Sequence, residues 1–94
     1  MLDRTFKALA DPTRRRILAL LRPADLAAGE IASRFDMAWA SVSHHLQVLR
    51  DAGLVVSRRD GQHIFYSLNT TAVQDALQHL FEISGVDRRE DPHD

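Results

Sequence analysis

Residues 40–49, read ASVSHHLQVL, decide how the chain folds. As a helix, this stretch places Val42, Leu46 and Leu49 at i, i+4 and i+7, one apolar stripe directed at a core. The opposite side then carries Ala40, Ser43, His44 and Gln47. That side is short and polar, with hydroxyl, imidazole and amide groups in place of long Lys and Glu chains. Such groups can come close to a DNA major groove and read base edges there. An ordinary amphipathic helix with a wet side fits the ten residues equally well. The flanking sequence has to separate the two readings.

Toward the N-terminus, Asp36-Met37-Ala38 is a short connection, and Ala27, Ile31, Ala32 and Phe35 share one face of a helix expected from about Ala28 to Phe35. Two short helices joined by three or four residues, the second small and polar outside, make a helix-turn-helix. Arg22-Pro23-Ala24-Asp25 breaks the chain before it. Further upstream, Asp11 is an N-cap and Pro12 suits the first helical position, where its missing N–H costs nothing. This helix runs to about Leu21, with Ile17, Leu18, Leu20 and Leu21 for the core. Arg14, Arg15 and Arg16 lie in its first turns, where the helix dipole disfavours cations. They require an anionic neighbour, either Asp11 within the fold or a phosphate outside it. Leu2, Phe6 and Leu9 mark a first helix too short to be stable alone in water, so it docks on the core or on a second subunit.

On the C-terminal side, Gly53 sits where a left-handed helix stop belongs. Residues 54–59 then read as a strand, Asp60-Gly61 as a hairpin turn and residues 62–68 as the returning strand. A two-residue turn there sets Val56 opposite Phe65 and Arg58 opposite His63. A basic hairpin directly after a helix-turn-helix reads as a wing; the alternative is a solvated edge kept soluble by arginine. Asn69-Thr70-Thr71 offers N-caps, and Thr71 with Gln74 fits a capping box. The last helix carries Val73, Ala76, Leu77, Leu80 and Phe81, a stripe wide enough to serve its own domain and a partner, and stops at Gly85. The expected fold is mainly α with a two-stranded β wing, in the order α-α-α-α-β-β-α. It is a single domain over residues 1–85, followed by a disordered acidic tail over residues 86–94.

Composition narrows the function. Ninety-four residues bury only about two-thirds of the unfolded surface, so burial in a dimer would add needed stability. The chain has no long apolar run, and Asp3, Arg4 and Lys7 interrupt its start. Neither a membrane insertion nor a signal peptide is therefore expected, and the location expected is cytoplasmic. With no cysteine there is neither disulfide nor thiolate chemistry. The net charge of −1 lacks the usual basic footprint of a nucleic-acid binder. Its distribution matters more: residues 87–94 hold four acids against two arginines, or −2, leaving +1 on the rest. Eleven of the twelve basic residues are Arg, the better phosphate fork. No Gly-rich phosphate loop, nucleophile elbow or carboxylate cluster appears, so neither an enzyme nor a cofactor is expected.

The segments DPTRRRIL (11–18), SVSHHLQVLRDAGLV (41–55) and DGQHIFYSL (60–68) resemble the ArsR family of bacterial winged-helix repressors, over about residues 3–84. Within it, SHHL followed by FYSLNTT is most similar to cysteine-free autorepressors of the sporulation-delay type. The resemblance implies a homodimer joined through the first and last helices, by Leu2, Phe6, Leu9, Val73, Leu77, Leu80 and Phe81. It implies repression at an inverted-repeat operator in double-stranded DNA. Trp39, Ala40, Ser41, Ser43, His44 and Gln47 would face the major groove, and Arg58, Arg59 and Gln62 of the wing would touch backbone or minor groove. His45 matches a family histidine whose role would be structural, bonding within the helix-turn-helix, with phosphate contact as the alternative.

Two positions depart from the family pattern. Ala38 stands where a capping Ser is usual, a loss of about 1 kcal/mol unless Asp36 substitutes. Trp39 stands where a polar or basic residue is usual; it packs back on the third helix, lies against sugar or a thymine methyl, or serves a partner. The family's thiolate metal motif is replaced by Ala27-Ala28-Gly29-Glu30-Ile31-Ala32. Of its last-helix metal site His79 and Glu82 remain, while the other half falls at Tyr66 and Leu68. That leaves two ligands where zinc prefers four, and no metal is expected. The alternatives kept are a metal-responsive repressor using His79 and Glu82, and a winged-helix protein-interaction module, favoured by Trp39 and the near-neutral charge. An unknown effector or a sequestering protein is compatible with either.

Overall fold

The computed structural model describes residues 2–85; the tail expected after Val86 lies outside them. The elements are α1 (Leu2–Leu9), α2 (Pro12–Leu21), β1 (Leu26–Ala27), α3 (Ala28–Ala32), α4 (Trp39–Asp51), β2 (Val55–Asp60), β3 (His63–Leu68) and α5 (Thr70–Ser84). Ile17, Leu21, Ile31, Val42, Leu46, Leu49, Leu54 and Val55 are almost completely buried and form one core with Ala8, Leu18 and Phe35. Each large side chain so buried stabilises the fold by roughly 1.5–3 kcal/mol relative to exposure. The stripe on α4 is therefore the seam that fixes this helix, leaving its polar side outside.

The helix ends explain where the elements stop. The Asp11 carboxylate accepts from the Arg14 backbone N–H at 3.0 Å, and Pro12 opens α2. At the end of α4, Leu54 N–H donates to Leu49 O at 3.0 Å and Gly53 N–H to Arg50 O at 2.9 Å. This paired closure needs a left-handed residue, supplied by Gly53 at φ 77°. Asn69, rather than the expected Thr71–Gln74 capping box, starts α5: its Oδ1 accepts from Ala72 N–H at 3.2 Å while its Nδ2 donates to Gly53 O at 2.9 Å. One amide thus ties the start of α5 to the end of α4, which a hydroxyl two residues later does not reach.

Three expectations are corrected. The expected two-stranded wing is β2–β3, but a third strand absent from the expected order, β1, joins it, giving β1-β3-β2. Leu26 pairs with Tyr66 and Ala27 with Phe65, and two residues are too few to show a period-two pattern. The hairpin register is shifted by two: Asp60 pairs with His63, Arg58 with Phe65 and Val56 with Ser67, so the loop is Gly61-Gln62. Gly61, at φ 66°, takes the first loop position, where both primed hairpin turns need a positive φ that Asp60 would have borne at a cost. Finally, α3 ends at Ala32 because the chain tightens: Arg34 N–H bonds Ile31 O and Phe35 N–H bonds Ala32 O. Phe35 still reaches the core from that turn.

Candidate nucleic-acid interface

The outer side of α4 is open. Trp39, Ala40, Ser41, His44 and Gln47 are exposed and Ser43 is half-buried. Gln47 donates from Nε2 to the Asp51 carboxylate at 2.9 Å, which orients its amide and leaves the carbonyl oxygen outward. Trp39 is 53% exposed. Ala38 holds extended N-cap geometry (φ −63°, ψ 148°) with no side-chain hydrogen bond, so Asp36 does not replace the missing serine.

His45, next to the reading face, is held from behind. Its Nδ1 lies 3.2 Å from an Arg14 guanidinium nitrogen and 3.9 Å from the Asp11 carboxylate. A guanidinium only donates, so in this contact Nδ1 is the acceptor. The expected bond within the helix-turn-helix is instead a bond to α2, through Arg14. The same Arg14 donates from Nε to Ala8 O at 2.8 Å and from a terminal nitrogen to Lys7 O at 3.2 Å; Arg15 donates to Leu9 O at 2.8 Å. The carbonyl end of α1, the negative end of its dipole, is thus the partner these cations needed at the start of α2. Arg16 lies over the Phe35 ring at 4.7 Å. The Asp11 carboxyl is held below the usual carboxylate range, first by the Arg14 backbone N–H and further by the nearby His45 and Arg14 side chains.

The wing does not present its two arginines alike. Arg59 and Gln62 are exposed. Arg58 donates to the Asp25 carboxylate at 3.0 Å and lies over the Phe65 ring at 5.0 Å. Two participants were not anticipated from the sequence. Arg50, in the last turn of α4, donates to Ser57 Oγ at 3.3 Å and links the helix to the wing; its place near a helix C-terminus was the available signal. Asp25 gave none, since its partner lies 33 residues away.

Along α5, Leu77, Leu80 and Phe81 are about half exposed, with Ile83, a residue outside the expected stripe, more exposed still. Leu9 and Val73 instead pack on their own core. Leu2 and Phe6 are half-buried, and the Phe6 ring lies 5.8 Å from His79, joining α1 to α5. Glu82 accepts from Gln78 at 3.5 Å. Among the described residues no group of three His, Asp or Glu side chains is placed to hold a metal ion, and no helix is long and apolar enough to cross a membrane.

A reading helix with a small polar face, closed by a glycine stop and followed by a basic hairpin, defines a winged helix-turn-helix regulator that binds DNA. A helix-turn-helix domain family matches residues 9–58. The chain is 49% identical over 76 residues to the transcriptional repressor SdpR of Bacillus subtilis (strain 168), a match covering 81% of this chain and 84% of that protein. A crystal structure of a possible transcriptional regulator for arsenical resistance superposes with TM-score 0.79 at 34% identity, covering 94% of this chain and 90% of that one. An ArsR-like transcriptional regulator from Rhodococcus sp. RHA1 does so with TM-score 0.78 at 32% identity, covering 89% and 79%. The chain belongs to the ArsR family of winged helix-turn-helix transcriptional repressors.

Proposed function

We propose that the protein acts as a homodimer that occupies an inverted-repeat operator, including one upstream of its own reading frame, and represses transcription from it. The observation that carries this reading is the pairing of the open polar side of α4 with the open apolar side of α5 in one chain. An apolar face of this kind is covered most simply by its own copy, since a two-fold interface is self-complementary. Two copies of α4 then enter major grooves one helical turn apart, about 34–36 Å. Ser41, Ser43, His44 and Gln47 offer hydroxyl, imidazole and amide groups to base edges, each good contact supplying on the order of 1–3 kcal/mol of discrimination. Ala40 and Trp39 offer apolar surface to a thymine methyl or a sugar, and Arg59 and Gln62 reach backbone or minor groove. The role is non-enzymatic and needs no cofactor, and the location that fits it is the cytoplasm. Leu77, Leu80 and Phe81, with Phe6 and Leu2 alongside, make the dimer seam; Leu9 and Val73 support it from within.

The test is fluorescence-anisotropy titration of DNA from upstream of the reading frame against a shuffled duplex, at several salt concentrations, with mass measurement by light scattering. Selective binding by a dimer, falling steeply with salt, is the expected result. A monomer, or binding indifferent to sequence, would overturn the proposal.

A further inference from the structure

Strand alternation divides the wing into two faces. Val55 is buried and Ser57 receives Arg50 from α4, so Val55, Ser57 and Arg59 share the face turned to the helices. Val56 and Arg58 share the opposite, outer face. Leu26 pairs with Tyr66 and Ala27 with Phe65, so Asp25 stands one step before β1, level with Ser67. Ala27 and Asp25 therefore belong to the outer face with Phe65 and Ser67. The Arg58 chain runs across β3 on that face, over the Phe65 ring, and ends on Asp25 at 3.0 Å. Its guanidinium is directed away from the edge of the hairpin and from α4. Ser67 and Arg58 both stabilise the Asp25 carboxylate, the serine hydroxyl foremost, and hold its pKa below the usual range.

We propose that Asp25 and Arg58 form a brace that ties the wing to the α2–β1 connection and sets the position of Arg59, so that Arg58 is a positioning residue for DNA binding and not a DNA contact. The inference rests on the DNA-binding reading above and deepens it. β1 offers only two residues of ladder, and the Arg50–Ser57 bond ties the hairpin to α4 from the inner face, so the outer face calls for a restraint of its own. A strap over β3, made of one ion pair and one cation–π contact, supplies that restraint.

The test compares the wild type with Asp25→Arg, Arg58→Asp and the double exchange, each as the full chain. Operator affinity is read by anisotropy, and amide hydrogen exchange over residues 55–68 is read without DNA. If charge alone mattered, Asp25→Arg would tighten DNA binding by adding positive charge. The brace gives the opposite sign: Asp25→Arg sets two cations against each other and weakens operator binding by roughly two- to fivefold, the scale of an exposed ion pair. Arg58→Asp also weakens binding, and the double exchange restores affinity with the pair reversed. Wing amides exchange faster in both single variants and return to the wild-type rate in the double. Tighter or unchanged binding by Asp25→Arg overturns the proposal. So does a double exchange as weak as Arg58→Asp, because Arg58 would then be touching phosphate itself. If the wild type shows no sequence-selective binding, the DNA reading fails on its own, and the exchange rates decide the brace: unchanged rates in the single variants overturn it.

Discussion

Replacing Ala38 by Ser should stabilise the protein, and the geometry fixes by how much. Ala38 already holds the extended backbone of an N-cap, and its carbonyl already accepts from Ser41 N–H at 3.0 Å and Val42 N–H at 3.2 Å. A serine there needs no backbone change for its Oγ to accept from the N–H of Ala40 or Ser41. Position 38 is exposed, so the added oxygen meets no burial cost. The gain is therefore that of a cap alone, about 1 kcal/mol. For a domain of 94 residues that corresponds to a rise in Tm of roughly 4–8 °C. The assay is thermal unfolding by circular dichroism at one fixed protein concentration, because a dimer's Tm moves with concentration. Ala38→Val, which adds bulk but no acceptor, is the control and should give no rise. Ala38→Asp should also stabilise, yet weaken operator binding by setting a carboxylate beside phosphates. No rise for serine, or an equal rise for valine, would refute the claim that α4 starts without a side-chain cap.

Four further outcomes follow from the same geometry. Gly53→Ala should cost about 1–2 kcal/mol in urea unfolding, purely from the positive φ, since a Cβ there meets no atom within 4 Å. Arg59→Gln should flatten the slope of log K against log salt by about 0.9 for each wing lost from a phosphate. Phe81→Glu, which places a charge on the half-exposed α5 face, should leave a folded monomer in sedimentation analysis. Asp11 has a folded pKa below its unfolded value, so the unfolded chain binds more protons and the stability Asp11 adds is complete above the unfolded pKa. That contribution is lost as pH falls through the folded value, so Asp11→Asn should make unfolding less steep in pH below about 4.

What could be read from the sequence was whatever is written in local period and local caps. Val42, Leu46 and Leu49 lie four and three residues apart, and that spacing alone identified the buried side of α4. Asp11-Pro12 and Gly53 marked helix ends because capping acts within one turn. The parts misread depend on contacts distant in sequence. β1 exists only because Leu26 and Ala27 meet β3 some forty residues later. The hairpin register depends on which of two adjacent residues takes a positive φ, a choice settled by Gly61 against Asp60. Arg58 was legible as a wing cation, but its engagement with Asp25 was not, because no periodic pattern links a loop to a strand.

Five of the arginines have partners within the fold. Arg14 and Arg15 close the carbonyl end of α1, Arg16 covers Phe35, Arg50 reaches Ser57 and Arg58 reaches Asp25. These cations hold the helices and wing in place, so counting them as DNA-binding charge overstates the electrostatic pull on a phosphate backbone. Among the described residues, Arg59 is the wing cation left without such a partner. Under the proposed DNA-binding mode, arginines so engaged are less free to neutralise phosphates, and a larger share of the affinity should come from base contacts along α4. The protein's discrimination between operator and random DNA should therefore persist at salt concentrations that abolish non-specific binding. Arg14 fixes His45 behind α4 and Arg50 joins the end of α4 to the wing, so both bear on how the proposed reading helix is presented.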